Sequence, residues 1–487
     1  MMDTILNETP ICFKELEQNI FQFFCYFARE TTRRILEHYD NKLMAERDTL
    51  VYRNKGLKAT TIKTVYGEVT YERRIYQTKD DDGHKCFVYL LDEALHLDKI
   101  GLVSVNYAEK VVKELTECSF RKASESVSGT TGQAISHAGA WNIAQAVGRR
   151  ASLEEDQLVC RMNAGDLFGE TVVRVLFEEM DGVWLHMQEG SGHEKAPGYE
   201  MKVGTVYEGW DAEDGNRLVG KSVIAGAESS DAFHEKMEAL IESKYDLSAV
   251  AYRILNGDGG GWIYDPYDPG TVFQLDPFHV KKEMKAKLGA KSEAYRAARK
   301  LYEEHKPEEL LSYLSAYAGD LGLKAESGSG DGMLETRNKL ENVMKLYGYL
   351  SNNADGLLPY SVKVKELPEP PDGVVYKGMG VQENQNDTVI TRRMKRGRMR
   401  WSVSGADNMA KILCANVNGK LTGLVNRYCE TLSFDMPMVE DAIVLSAAEA
   451  NRNPFKRDPY FDAINAHVPL RDAKMTGSLK GMLRSMF

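Results

Sequence analysis

The sequence predicts a mixed α/β protein, and three observations lead there. Residues 171–275 alternate short β-branched runs with one amphipathic helix. Residues 281–355 read as helical throughout, broken only at Pro307 and in the Gly/Ser stretch 327–332. Ahead of both lie helical segments and one hairpin. At ~100–200 residues per domain, 487 residues hold several domains with ample core.

Taken in order, Phe13, Leu16, Ile20, Phe23 and Phe24 recur at helical spacing, and residues 33–43 continue with strong helix formers. From Thr64 to Tyr71, β-branched and aromatic residues flank Gly67-Glu68, the pattern of a hairpin. A short strand is expected over 87–91. Val105, Ala108, Val111, Val112 and Leu115 form one helical stripe. A second helix starts at the N-cap residue Ser119 and carries Phe120, Ala123 and Val127. After Gly129 and Gly132 a third runs from about Ser136 through Trp141 to Val147, with Arg149-Arg150 at its end. Helix, glycine break, helix is the pattern of a helix-turn-helix DNA reader, although this break exceeds the usual three or four residues.

After an acidic joint at Glu154-Glu155-Asp156, strands are expected over 171–180, 183–187 and 200–207. A helix over 231–245 follows, with Phe233, Met237, Leu240 and Ile241 on one side. Strands over 249–255 and 272–275 lead into a basic helix near His279. Glu366-Leu367-Pro368-Glu369-Pro370-Pro371 is a stiff linker that no helix or central strand includes.

Hydrophobic residues make up 43% and charged residues 28%, a globular balance. No run approaches the roughly 18 apolar residues of a membrane span, and residues 1–30 lack a basic start followed by an apolar block. Neither secretion nor membrane insertion is expected. Seven cysteines without a Cys-x-x-Cys pair exclude a zinc ribbon and fit a reducing cytoplasm. The net charge of −10 speaks against a nucleic-acid partner until its distribution is read. Residues 151–220 hold fifteen Asp/Glu against five Lys/Arg, which is the whole excess. Residues 281–300 carry eight Lys/Arg against two Glu, and residues 391–400 carry six against none. A phosphate backbone responds to such local clusters.

Two acids sit where hydrophobic strands are expected to end: Asp181 before Gly182, and Asp258 before three glycines and Trp262. Each alone reads equally as a turn residue. Together, on adjacent strands, they put two carboxylates side by side, which is costly unless a cation neutralises them. All-oxygen ligation of that kind suits Mg²⁺ or Mn²⁺, and a two-metal phosphoryl-transfer site asks for a third acid that composition does not choose.

Asp181, Asp258 and a later Glu beyond a helical insertion resemble the acids of DDE transposases with a ribonuclease-H-like core. Leu275-Asp276-Pro277-Phe278-His279 resembles the Asp-x-x-His of Mutator-like transposases, and Glu383-Asn384-Gln385-Asn386 the Glu-x-x-Asn around their third acid. More narrowly, the chain resembles the ISLre-type insertion-sequence transposases, long catalogued as an uncharacterised protein family. The matching segments are Tyr66-Gly67-Glu68-Val69, Tyr89-Leu90-Leu91-Asp92, Ser119-Phe120-Arg121-Lys122-Ala123, Gly257-Asp258-Gly259, Arg393-Met394-Lys395, Met399-Arg400-Trp401-Ser402 and Gly405-Ala406-Asp407. The likeness runs from about residue 40 to 430. Gln382 and Asn384 depart from it, standing beside Glu383 where small residues are expected.

The resemblance implies a ribonuclease-H-like mixed-sheet catalytic core interrupted by a helical insertion, preceded by an N-terminal helical/hairpin region and a helix-turn-helix. The expected divisions are 1–100 (helices and hairpin), 101–150 (helix-turn-helix), 165–280 (first part of the core), 281–372 (insertion), 373–430 (second part, with the third acid) and 431–487 (tail). Asp181, Asp258 and Glu383 would bind two Mg²⁺ (or Mn²⁺) ions for cleavage at the element's ends and transfer of the freed 3′-hydroxyl to target DNA. Asp276 and His279 would lie near that site, His279 serving equally as a structural helix-start histidine. Asp387, one helical turn after Glu383, is the competing third acid. Arg121, Lys122, His137, Trp141 and Asn142 would read the terminal repeat. Arg392, Arg393, Lys395, Arg396, Arg398 and Arg400 would contact phosphates. Implied partners are double-stranded DNA and further copies of the chain on it, with no membrane, in the cytoplasm at the nucleoid. A nuclease without strand transfer and a transposase-derived regulator without catalysis remain alternatives.

Overall fold

The computed structural model describes residues 12–95, 102–188, 198–263, 270–327 and 331–428. It divides into two compact units, residues 1–149 with 420–487, and residues 150–419. Together they make a mixed α/β protein with a helical N-terminal segment and several sheets. The expected tail at 431–487 and Cys429 lie outside the described residues.

In the first unit, α1 (Phe13–Glu46) packs on an antiparallel sheet of β1 (Arg53–Thr64), β2 (Gly67–Lys79) and β3 (Lys85–Val88). Leu36, Ile62, Val69, Tyr71 and Leu91 close the core between them. The hairpin turn is Val65-Tyr66, not Gly67-Glu68. Gly67 opens β2 at φ +138°, where a Cβ would collide with the Arg29 side chain, and Glu68 already pairs with Lys63 across the ladder. The strand expected over 87–91 ends at Val88, and Leu91 belongs to α2 (Leu90–Leu95).

Next come α3 (Val105–Glu117), α4 (Phe120–Thr131) and α5 (His137–Asn163). The expected stripe of α3 is buried from Ala108 to Leu115. Ser119 caps α4 by accepting the Lys122 amide. Arg149-Arg150 lies in the middle of α5 rather than at its end, and the acidic joint is helical too. No Gly or Pro occurs from 149 to 163, and Arg150 pairs with Glu154 one turn on at 3.2 Å.

The second unit is built on a five-stranded mixed sheet of β4 (Val175–Leu185), β5 (Tyr199–Tyr207), β8 (Ser222–Gly226), β9 (Tyr252–Gly257) and β10 (Val272–Leu275), in the order β10-β9-β4-β5-β8. The first three run antiparallel; β9 and β10 run parallel to β4. Local pattern divides 171–187 into two strands, but β4 is one, held straight through Asp181-Gly182 by its ladder with β5. One sheet face takes Leu176, Met180, Val206, Ile224 and Leu255 against α6 (Ser230–Glu242). The other takes Phe177, Tyr207, Trp210 and Ile254 against Tyr360 and Met379. That two-sided burial is why these strands read as continuous apolar runs. Short strands β6 (Gly209–Asp211), β7 (Leu218–Val219) and β11 (Val374–Val375) make a third sheet.

Beyond β10 the chain forms α7 (Pro277–Leu288), α8 (Glu293–Glu303), α9 (Pro307–Ser327) and α10 (Asp331–Asn352), packed through Val280, Met284, Leu310, Leu314, Leu346 and Leu350. After α11 (Tyr360–Lys363), β11 and α12 (Gln382–Gln385), a π-turn over Asn386–Thr391 leads into α13 (Arg392–Met394). Helix α14 (Val403–Val417) lies against β8, and α15 (Leu421–Asn426) returns to the first unit.

Candidate active site

Side chains on a strand alternate between faces, so every second residue of β4, β9 and β10 shares a surface. The register lines up Phe177, Ile254 and Val272 as an apolar row, and Glu179, Asn256 and Gln274 as a polar row above it. Continuing the alternation gives Asp181, Asp258 and Asp276. Asp181 is not at a strand end; it is the first residue of β4 past its parallel rungs with β9, which stop at Met180 opposite Gly257. Asp258 and Asp276 directly follow the last residues of β9 and β10.

Each acid of that row is held by its neighbours. Asp181 accepts the Gly182 amide at 2.8 Å and the side-chain amide of Asn386 at 2.7 Å. Asp258 accepts the Gly260 amide at 2.8 Å, and its carbonyl accepts the Tyr349 hydroxyl of α10 at 2.9 Å. Gly259 between them has φ +84°, and a Cβ there would strike the Asn353 side chain. Asp276 caps α7 through the Phe278 amide, and its other oxygen lies 2.9 Å from His279 Nδ1. Carboxylate oxygens of Asp181 and Asp258 and a ring nitrogen of His279 all fall within 4.8 Å of one another.

The electrostatics follow from this crowding. Burial pushes the Asp181 carboxyl up to about 6; the charges of Asp258 and Glu383 push the same way, while His279 and the Gly182 amide oppose them. His279 is raised above its ordinary value, first by its bond to Asp276, against desolvation, with Asp181 and Asp258 adding to the rise. Two hard oxygen donors, one of them reluctant to ionise, are a donor set that a divalent cation satisfies. Glu383 is exposed in the first turn of α12, outside the 4.8 Å group but close enough for its charge to act on Asp181. Asp387 pairs with Arg392 at 2.9 Å and Arg396 at 2.6 Å. Its partner Arg392 is five residues on, the spacing of the π-turn that carries them.

Residues 6–430 match the uncharacterised protein family UPF0236. The chain belongs to this family. The UPF0236 protein of the vanSb 3′ region in Streptococcus gallolyticus is 26% identical over 418 residues, which is 83% of both chains. A UPF0236 protein of Caldanaerobacter subterraneus subsp. tengcongensis, whose name joins eleven locus designations, is 23% identical over 414 residues, covering 83% of this chain and 78% of its own. Another from the same organism, whose name joins four, is 23% identical over 415 residues with the same coverage.

Within this UPF0236 chain the residues expected to meet DNA divide by exposure. Arg121, Lys122, His137 and Asn142 are exposed, whereas Trp141 is half-buried, edge-on to the Phe120 ring at 5.2 Å, and serves the packing of α4 on α5. Lys395, Arg398 and Arg400 are exposed, and Arg392 and Arg396 share Asp387. Arg393 corrects the expectation: it is buried, with its guanidinium 5.6 Å from the Trp401 ring centre, because the tight turns at 386–394 rotate it under the chain.

Sequence reasoning misses the polar row. Glu179 is fully buried and accepts five donors: the Tyr207 hydroxyl at 2.6 Å, Asn256 Nδ2 at 3.0 Å, and the amides of Gly380, Val381 and Gln382 at 3.1, 3.2 and 3.2 Å. Gln274 donates to Asn256 at 3.1 Å and accepts the Tyr360 amide at 2.9 Å. Its signal is the run of Glu-x-Asp, Asn-x-Asp and Gln-x-Asp at 179–181, 256–258 and 274–276, a polar residue two positions before each acid. Gln382, which stands where the transposase resemblance leads one to expect a small residue, is buried and bonds Val203 and Asn386.

Proposed function

We propose that this UPF0236 protein is the DNA transposase of an insertion sequence, acting through a two-metal site formed by Asp181, Asp258 and Glu383. The observation that carries the reading is the meeting of Asp181, Asp258 and His279 within 4.8 Å, beside a Glu383 whose charge reaches Asp181. The mixed sheet, with a helical segment between Asp258 and Glu383, supports a ribonuclease-H-like core. Relatives whose single names join eleven and four loci of one organism support a gene that multiplies within its host.

Two divalent cations, when bound, supply the charge that lets the carboxylates ionise side by side and make a water or a 3′-hydroxyl a better nucleophile. The chain's own part is to hold the acids. Asn386 and the Gly182 amide orient Asp181, the Gly260 amide orients Asp258, and Asp276 fixes the His279 ring beside the two acids. A protonated His279 there donates to a phosphate oxygen of the strand being cut. The exposed cations Lys395, Arg398 and Arg400 draw in the phosphate backbone, and helix α5 reads the repeat through His137 and Asn142.

The test is cleavage of duplexes made from the DNA that flanks the gene, in Mg²⁺, with Asp181→Asn and Asp258→Asn as controls. Cutting at the element ends with joining to a second duplex is the expected result. Cutting without joining would move the assignment to the nuclease alternative, and wild-type cutting by either variant would end the two-metal assignment.

A further inference from the structure

We infer that Glu179 is a positioning residue: a buried carboxylate clamp that fastens the segment carrying Glu383 onto the strand carrying Asp181. The structural part of this inference stands alone; its catalytic meaning rests on the transposase reading.

The geometry has three parts. Glu179 lies two residues before Asp181 on the same face of β4 and is fully excluded from solvent. Its two oxygens accept the three successive amides of Gly380, Val381 and Gln382, which open α12. A helix's first amides have no partner within the helix, so a strand residue here supplies what a local cap supplies elsewhere. Val381, at the N-cap position, has no side-chain oxygen to do it. The remaining two donors, Tyr207 from β5 and Asn256 from β9, fix the carboxylate itself.

The row then continues through Asn256 to Gln274 and the Tyr360 amide. One connected set of buried bonds therefore joins the three strands that lead into Asp181, Asp258 and Asp276 to the segment that bears Glu383. All five partners of Glu179 are donors, so neither an amide nor a hydroxyl in its place satisfies them. A salt bridge would hold two residues; a carboxylate on three consecutive amides fixes the direction of a chain. That direction sets where the turn bearing Glu383 begins and brings Asn386, one turn later, onto Asp181.

The experiment is hydrogen exchange of the full chain, wild type against Glu179→Gln, read by mass spectrometry without metal or DNA. Faster exchange confined to residues 378–394 is expected; unchanged exchange there would overturn the clamp. Should Glu179→Gln unfold, Tyr207→Phe removes one donor partner and is read in the same way. Strand cleavage then tests positioning. Glu179→Gln should lower kcat roughly tenfold or more with KM for DNA little changed, and should add nothing further in a Glu383→Gln background. Multiplying losses would show that Glu179 acts elsewhere than through Glu383. If the wild type cuts no DNA, the transposase reading fails while the exchange result still decides the clamp.

Discussion

Asn386 donates its side-chain amide to Asp181 across a 205-residue gap in the chain, at 2.7 Å. The bond ties the π-turn after Glu383 to the central strand, so the placement of that turn and the orientation of Asp181 are set together. Removing it leaves Asp181 with one fewer donor in a place where burial already opposes its charge.

That opposition makes Asp181 a stability liability in the absence of metal. Its carboxyl titrates at about 6 in the folded chain and near 3.8 when unfolded, so ionising it above pH 6 costs folding free energy, and the cost vanishes below pH 4. Asp181→Asn should therefore stabilise the chelator-treated protein at pH 8 by up to about 2 kcal/mol, and not at pH 4. Thermal melts at the two pH values read it; equal effects at both would refute the account.

His279 should remain protonated above the ordinary histidine range, because Asp276 bonds its Nδ1 and the two site acids face it. A raised histidine favours the folded state most fully below its unfolded value, and that contribution is lost as pH rises through the raised one. Asp276→Asn should bring the His279 titration, followed by NMR of the ring, back down. A titration that does not move would show that Asp276 serves only as the cap of α7.

Lys411 is completely buried and pairs with Glu155 at 2.6 Å and Glu228 at 2.8 Å, while Lys236 takes Glu228 at 2.9 Å and Asp156 at 3.0 Å. Burial works against the Glu228 charge, but Lys411 and Lys236 outweigh it and hold the carboxyl at about 2. Lys411→Met would remove the fully buried cation and leave Glu155 and Glu228 only Lys236, at 3.5 and 2.9 Å. The expected loss is about 3–5 kcal/mol in denaturant melts at pH 7, and a loss below about 1 kcal/mol would mean the acids simply take protons.

Exposed and buried cations near 391–400 should separate in a salt titration. Lys395→Gln with Arg398→Gln should weaken DNA binding and flatten the slope of log affinity against log salt by about 0.9 for each phosphate no longer neutralised. Arg393→Gln should instead lower the melting temperature and leave the slope alone, because that side chain is buried beside Trp401.

The mixed α/β class and the mainly helical character of the segment after residue 281 were legible in the sequence, which also singled out Asp181 and Asp258; the break between Leu288 and Glu293 was not. Local periodicity, helix breakers and Asp-Gly pairs are properties of neighbouring residues, and neighbouring residues are what a sequence displays. Helix α9 begins at Pro307 and β10 spans 272–275, where local pattern puts them. Only the tertiary structure decided that β4 runs unbroken through Asp181, because its ladder with β5 outweighs the turn tendency of Asp-Gly. It also decided the partners of Asp387, which the π-turn brings onto Arg392 and Arg396. Arg393 passed from a cluster of apparent surface charge into the interior for the same reason. Glu179 shows the difference most directly: its five donors come from strands β5 and β9 and from residues 380–382, about two hundred positions away. A buried carboxylate is stable only where such donors converge, and that convergence is a property of the folded chain.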